Sequence, residues 1–364
     1  MDRGTSLYLD TVRFTAALAV FVSHFVLLHF DGGLLWQLQP YGSEAVDVFF
    51  VLSGFLIAYT ADQRDRSAAN FAVNRAARIY SVALPAVLAT MALDEVGRTV
   101  NPAAYADLPQ YVSGQELRQT LLGLAFLNQN WTLATPVGTN VPYWSLGNEV
   151  WYYTIFGIAF YGVGRYRVIG VLFALLAAGP RILLLFPLWL LGVACWRLSL
   201  SGPPSIPVQR TLFIGSAALW LAYETWASRH GRLTLPLQWA LDRPQVVQDY
   251  MIGLLFAANL LGAGAVSPLL KRLSVLAAGR AIRWLASATF TLYLFHFPVM
   301  QFLRAVEPWP PESIASRGLL FSGTLLIVFA ISTITERRKE RWRGMFAAVM
   351  VAVLPRTRVA LPPR

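Results

Sequence analysis

The stretch LYLDTVRFTAALAVFVSHFVLLHF, Leu7 to Phe30, decides how the rest of the chain is read. It is long enough to cross a bilayer, which takes about 20 apolar residues. Yet it carries Asp10, Arg13, His24 and His29. A charged side chain at membrane depth costs about 2.5 kcal/mol or more, so such residues usually face a polar interior and serve a function. Arg13 and His24 stand close to three turns apart at about 100° per residue. Both therefore point to one side of the helix, roughly 16 Å apart along its axis.

The surrounding composition agrees with a membrane setting. Of 364 residues, 56% are hydrophobic and 13% charged, and the mean hydropathy is +0.51. Roughly ten apolar windows, most of about 17–22 residues, follow one another. They lie at Leu9–Phe30, Gly42–Ala61, Ile79–Val96, Ser145–Val163, Val168–Ala178, Leu183–Trp196, Thr211–Ala227, Asp249–Val266, Leu285–Leu303 and Gly318–Thr335. The run Gly179-Pro180-Arg181 interrupts the fifth and sixth. The expected fold is all-α: a polytopic membrane protein of about ten transmembrane helices, with cytoplasmic amino and carboxyl termini. Residues 1–343 form the membrane domain. Residues 344–364 form a cytoplasmic tail whose short apolar piece, Met345–Leu354, is interfacial. No internal repeat is visible, and no appended soluble domain is expected. The first helix reads as a signal anchor, being too long and wrongly flanked for a cleaved signal peptide. The single Cys195 excludes an internal disulfide.

The net charge of +11 does not require nucleic acid. With alternating helices, the larger share of the 30 Lys and Arg residues falls on the cytoplasmic side, as the positive-inside rule demands. The external segment with Arg229, Arg232 and Arg243 runs against the rule.

Polar residues inside the windows are the candidates for function. Glu44 and Asp47 share one helical face near an external end; Glu44 is either hydrated at the interface or functional, and Asp47, which lies deeper, is the better functional candidate. Ser53-Gly54 suits close helix contact. Arg75 and Arg78, three apart at a cytoplasmic edge, serve either as topological determinants or as a fork for phosphate groups. The segment Gly97–Tyr143 is rich in Pro, Asn, Gln and Trp, with a short apolar piece at Leu121–Leu127. Such aromatic and amide side chains suit sugars, although Trp is also an interface anchor. Glu149 sits about one turn inside the next window, where Asn148 and Ser145 can share its polar network. His296 precedes Pro298, which is expected to kink its helix. Glu336 lies at the cytoplasmic rim beside three cations. The four histidines have no metal-ligand spacing such as HxxxH, and no metal is expected.

Sorted by depth, His24, Asp47, Glu149 and His296 fall towards the external side, and Arg13, Arg75, Arg78 and Glu336 towards the cytoplasm. A histidine near carboxylates is a candidate general base, and an anion site opposite it suits a phosphorylated donor. The combination points to group transfer onto an external hydroxyl.

At these residues the chain resembles the acyltransferase 3 family of membrane O-acyltransferases. The likeness is carried by five motifs in order: Leu9-Asp10-x-x-Arg13 followed by His24; AVDVFFVLSGFLI (45–57); Arg75-Ala-Ala-Arg78-Ile-Tyr; WSLGNEVWYY (144–153); and LYLFHFPV (292–299). Glu336 matches the glutamate of the family's terminal span. Departures occur at Thr11, Val12 and Phe14, where glycine is common, and at Ser81 and Arg337, where proline is common. The resemblance implies an acyl group, usually acetyl, passing from cytoplasmic acyl-CoA to a hydroxyl on an extracytoplasmic or lipid-linked glycan, in the inner membrane. It implies His24 as the essential residue, with Arg13, Arg75 and Arg78 handling the donor and Glu336 grouped with them. Glu149 or Asp47 would orient His24, which serves as base or transient acyl carrier. Trp144, Ser145 and His296 are assigned to the acceptor. A small secreted metabolite is the alternative acceptor. A transporter or flippase with a proton relay is the rival class, and a non-catalytic scaffold the third.

Overall fold

The structure, a computed structural model, describes residues 1–106, 108, 114–235 and 243–353. Among them every regular element is helical. The principal helices in chain order are α1 (Arg3–Phe25), α2 (Tyr41–Gln63), α3 (Ala68–Val100), α4 (Glu116–Leu124), α5 (Tyr143–Tyr161), α6 (Gly164–Ala178), α7 (Phe186–Leu200), α8 (Ile206–His230), α9 (Val246–Gly262), α10 (Thr289–Val306), α11 (Thr324–Ser332) and α12 (Lys339–Val353).

Each apolar window of the sequence is mainly helical, although Leu285–Leu303 crosses the break between Ala286 and Thr289 and Leu183–Trp196 the one between Leu183 and Phe186. Among the described residues, however, five stretches are long and apolar enough to cross a membrane: Arg3–Phe25, Trp36–Gln63, Ala68–Val100, Val246–Ala265 and Ile314–Ala352. Helices α6 and α7 have 15 residues each, short of the roughly 20 that a hydrocarbon core takes. Helix α8 has 25 residues but includes Arg210, Glu224, Arg229 and His230. The break at Gly179-Pro180-Arg181 is real: α6 stops at Ala178, and Gly179 takes a positive φ of 80°. The short piece expected at Leu121–Leu127 is helical only as far as Leu124, where α4, which starts earlier at Glu116, ends. The interfacial piece Met345–Leu354 lies on α12 as far as Val353, and Leu354 with the rest of the tail is outside the described residues.

The chain divides into two compact units. One comprises Met1–Ala16, Ser43–Arg64 and Leu183–Ala286; the other comprises Ala17–Gly42, Asp65–Ile182 and Ser287–Arg364. In the first unit, Asp2 caps α1 by accepting from the backbone N–H groups of Gly4 (2.7 Å) and Thr5 (3.1 Å). Burial opposes its charge, but hydrogen bonds from Thr5, Ser267 and Gly4 outweigh that and hold its carboxyl at about 2. Helices α2 and α7 touch backbone to backbone. A side chain at Gly54 would strike the carbonyl of Trp189, and one at Gly192 that of Val51. Ser53 accepts from the Trp189 indole at 3.2 Å, so Ser53-Gly54 does provide close helix contact.

The same unit pairs its buried charges. Glu44 accepts from Trp220 (2.9 Å) and Gln248 (3.0 Å) and pairs with Arg232, which also meets Glu224 at 2.9 Å. Glu44 is thus buried, which decides against the hydrated alternative that the sequence left open. Arg243 bridges Asp47 (3.5 Å) and Asp249 (2.5 Å). Two of the three arginines that broke the positive-inside pattern are therefore neutralised by buried carboxylates, and they carry little topological information. Arg13 pairs with Asp10 at 3.6 Å.

The second unit packs α10 against α3 and α11, α12 against α3, and α5 against α6. It also holds the Ala17–Phe25 part of α1 and thus His24. Its core is aromatic around that residue: Phe21, Phe30, Phe295 and Phe297 are all buried.

Candidate active site

His24 meets His296 of α10. Nδ1 of His24 lies 2.9 Å from Nε2 of His296, with the rings stacked at 20° and centroids 5.2 Å apart. Phe21 stands edge-on to His296, and Phe297 edge-on to His24. Nδ1 of His296 lies 2.8 Å from the carbonyl oxygen of Leu292. A carbonyl only accepts, so Nδ1 of His296 carries the proton there. The neutral ring must then accept at Nε2, which makes Nδ1–H of His24 the donor. Hydrogen-bond logic thus assigns one tautomer to each ring and leaves the lone pair of His24 on Nε2. His296 has no exposed surface, whereas His24 is half-buried. His296 is sealed within the fold, and His24 keeps some exposed surface only as a whole residue.

Three contacts position α10. Pro298 has no N–H, so the carbonyl of Leu294, four residues back, loses its helical partner. Asn140 replaces it, with Nδ2 2.8 Å from that oxygen and 3.2 Å from Oγ1 of Thr90. Glu336 receives the N–H groups of Phe290 (3.0 Å) and Thr291 (3.1 Å) in the first turn of α10. Those donors have no intrahelical partner, and a carboxylate there also opposes the helix dipole. Tyr293 Oη and Ser145 Oγ of α5 are 2.6 Å apart. Beyond Pro298, Gln301 links His29 (3.0 Å) to the carbonyl of Ala104 (2.8 Å).

The arginine pair of α3 forms a second cluster in this unit. Arg75 pairs with Asp65 at 3.5 Å and lies over the Phe71 ring. Asp65 is held in turn by Asn74 at 2.6 Å. Nε of Arg75 is buried with no hydrogen-bond partner among the described residues. Glu149 accepts from Tyr153 Oη, one turn along α5, and lies with Tyr153 within electrostatic reach of Arg75. Arg78, one turn from Arg75, is half-buried.

Several expected site residues therefore sit differently from the sequence reading. Among the described residues, the hydrogen-bond partner of His24 is His296 and neither Glu149 nor Asp47. His296, expected at the acceptor, backs the candidate base. Glu336, grouped with the donor site, caps α10. Asp47 belongs to the unit holding Arg243 and Asp249. Ser145 takes part in the α5–α10 contact, and Trp144 beside it is half-buried. Asn140 and Tyr293 were missed, although the missing N–H of Pro298 is a signal that some side chain must answer. Among the described residues no three His, Cys, Asp or Glu side chains group to hold a metal ion.

A family model described as an acyltransferase domain, of the acyltransferase 3 type, matches residues 6–337. Among curated relatives, acyltransferase MdmB of Streptomyces mycarofaciens is 34% identical over 155 residues, 41% of this chain and 37% of that protein. An O-acetyl transferase of Shigella phage Sf6 is 31% identical over 156 residues, 41% of this chain and 44% of that protein. The matches thus span less than half of either relative. No solved structure matches the chain.

Proposed function

Because the chain belongs to the acyltransferase 3 family, we propose that it is a multi-pass O-acyltransferase of the inner membrane. It moves an acyl group, acetyl in the first instance, from acyl-CoA to a hydroxyl of an extracytoplasmic or lipid-linked glycan. The observation that carries this reading is the His24–His296 pair, whose hydrogen bonds leave an unprotonated Nε2 on His24. Nε2 of His24 takes the proton of the acceptor hydroxyl as the hydroxyl oxygen bonds to the acyl carbon. The carbon–sulfur bond breaks, and the same nitrogen returns the proton to the departing thiolate. His296 holds the base in one tautomer and shares the transient imidazolium charge, the part a carboxylate plays in other triads. Arg75 and Arg78 bind the coenzyme phosphates, a reading supported by two guanidinium groups one turn apart on α3, whose planar forks suit phosphate oxygens. Arg13 assists the donor, Glu149 tunes the Arg75 cluster, and Trp144 and Ser145 line the acceptor side.

The test is transfer of labelled acetyl from acetyl-CoA to surface glycan in membranes that contain the protein. Label in the glycan that depends on acetyl-CoA supports the reading. Transport without any covalent labelling would replace it with the transporter reading.

A further inference from the structure

Where the chain leaves the membrane-crossing stretch Val246–Ala265, it turns into two short helices, Ser267–Leu273 and Ala277–Ala286. The turn between them is pinned at Ser274, which is buried. Its Oγ donates to the carbonyl of Lys271 (2.7 Å), and its own carbonyl accepts from Nη2 of Arg283 (2.7 Å). Gly279 lies against the same corner, where a side chain would strike the carbonyl of Leu273. The second helix is thereby folded back against the end of the first, a few residues from the crossing stretch. Both helices fall well short of the roughly 20 residues that a span takes.

The second helix has three faces. Gly279 and Ala286 are buried against the fold. Arg280 and Arg283 stand one turn apart on another side and are exposed. Ala277, Ala281 and Trp284 recur at helical spacing on the third, which is also exposed, Trp284 at 51%. The turn before it adds Val275 at 59% and Leu276 at 52%. Such a run of exposed apolar side chains calls for a covering surface, and tryptophan is the residue that favours the membrane–water boundary. The cations beside the run call for an anion. Lys271 and Arg272, in the last turn of the first helix, are exposed as well, and the sequence from Tyr250 to Val306 contains no Asp or Glu. Arg283 is engaged by Ser274 and lies within electrostatic reach of Asp10, so it holds the corner. An occupant with an anionic head and an apolar body satisfies both stripes at once. The preceding crossing stretch delivers these helices to the depth where such molecules present their headgroups.

We propose that Lys271, Arg272 and Arg280, with Val275, Leu276 and Trp284 as the apolar side, form a docking surface for anionic phospholipid. The proposal goes beyond acyl transfer and does not depend on it. The full-length protein is reconstituted in vesicles of equal parts phosphatidylcholine and phosphatidylglycerol, with brominated chains on one lipid or on the other. The signal is the tryptophan emission that Trp284→Phe removes, and bromine quenches it on contact. Brominated phosphatidylglycerol is expected to quench this emission more than brominated phosphatidylcholine. The preference should shrink at high salt, which screens exposed charges. Its equilibrium constant should fall about fivefold for each of Lys271→Gln, Arg272→Gln and Arg280→Gln, the weight of one basic residue near an anionic surface. Lys271→Arg keeps the charge and should keep the preference. Quenching by brominated phosphatidylcholine should persist in the Gln variants, which separates lost recognition from a helix that has come away or unfolded. Equal quenching by the two lipids would overturn the proposal, since ordinary boundary lipid predicts it. No quenching by either would also overturn it, because the helix would then be covered by protein, such as a second copy of the chain. A preference unchanged in the Gln variants, or one abolished by adding acetyl-CoA, would likewise contradict it, the latter by making the cations a coenzyme surface.

Discussion

A neutral histidine whose Nδ1 donates to a carbonyl has one nitrogen left, and that nitrogen can only accept. At His296 this choice sets the tautomer of His24. Replacing His296 by Leu removes the acceptor for Nδ1–H of His24 and frees the ring to turn or change tautomer. The expected result is a fall in kcat of about two orders of magnitude, within the range for a disabled general base, with the apparent KM for acetyl-CoA unchanged. His296→Gln, which keeps an acceptor, should recover part of the loss. The arginines make the opposite prediction. Arg78→Ala should raise the apparent KM for acetyl-CoA and leave kcat nearly intact, because it removes binding common to ground and transition states. His24 was legible in the sequence because an ionisable residue at membrane depth demands a reason. Its partner was not, since His296 lies 272 residues away, and spacing carries information only along one helix.

Among the elements, α10 shows how a local defect becomes a tertiary contact. Pro298 was expected to kink the helix; what the structure shows is an orphan carbonyl answered by Asn140. Asn140→Leu leaves the Leu294 oxygen buried and unpaired, at a cost of about 1–3 kcal/mol. That cost should appear as a lowered melting temperature in detergent. In a Pro298→Ala background the helix supplies its own N–H, so the same substitution should cost less, and the two should couple in a double-mutant cycle. Equal costs in both backgrounds would contradict the account. The existence of these helices was legible from apolar windows. How many are long enough to span was not, because mean composition does not reveal where α6 or α7 ends. Nor did Glu44 and Asp47 disclose that Arg232 and Arg243 come back to meet them.

For the whole molecule, orientation is open to direct test because Cys195 is the sole cysteine and is buried. In a Cys195→Ser background, single cysteines at the exposed positions Arg66 and Arg118 should react with an impermeant maleimide from opposite faces of the membrane, Arg66 from the cytoplasm. Labelling of both from one face would contradict the orientation proposed. The central claim is chemical, however, and is met most directly at His24. The deciding measurement is the rate of acetyl transfer to surface glycan by His24→Ala protein, at membrane levels equal to the parent. The account predicts a loss of at least about 100-fold. A rate equal to that of the parent would contradict it.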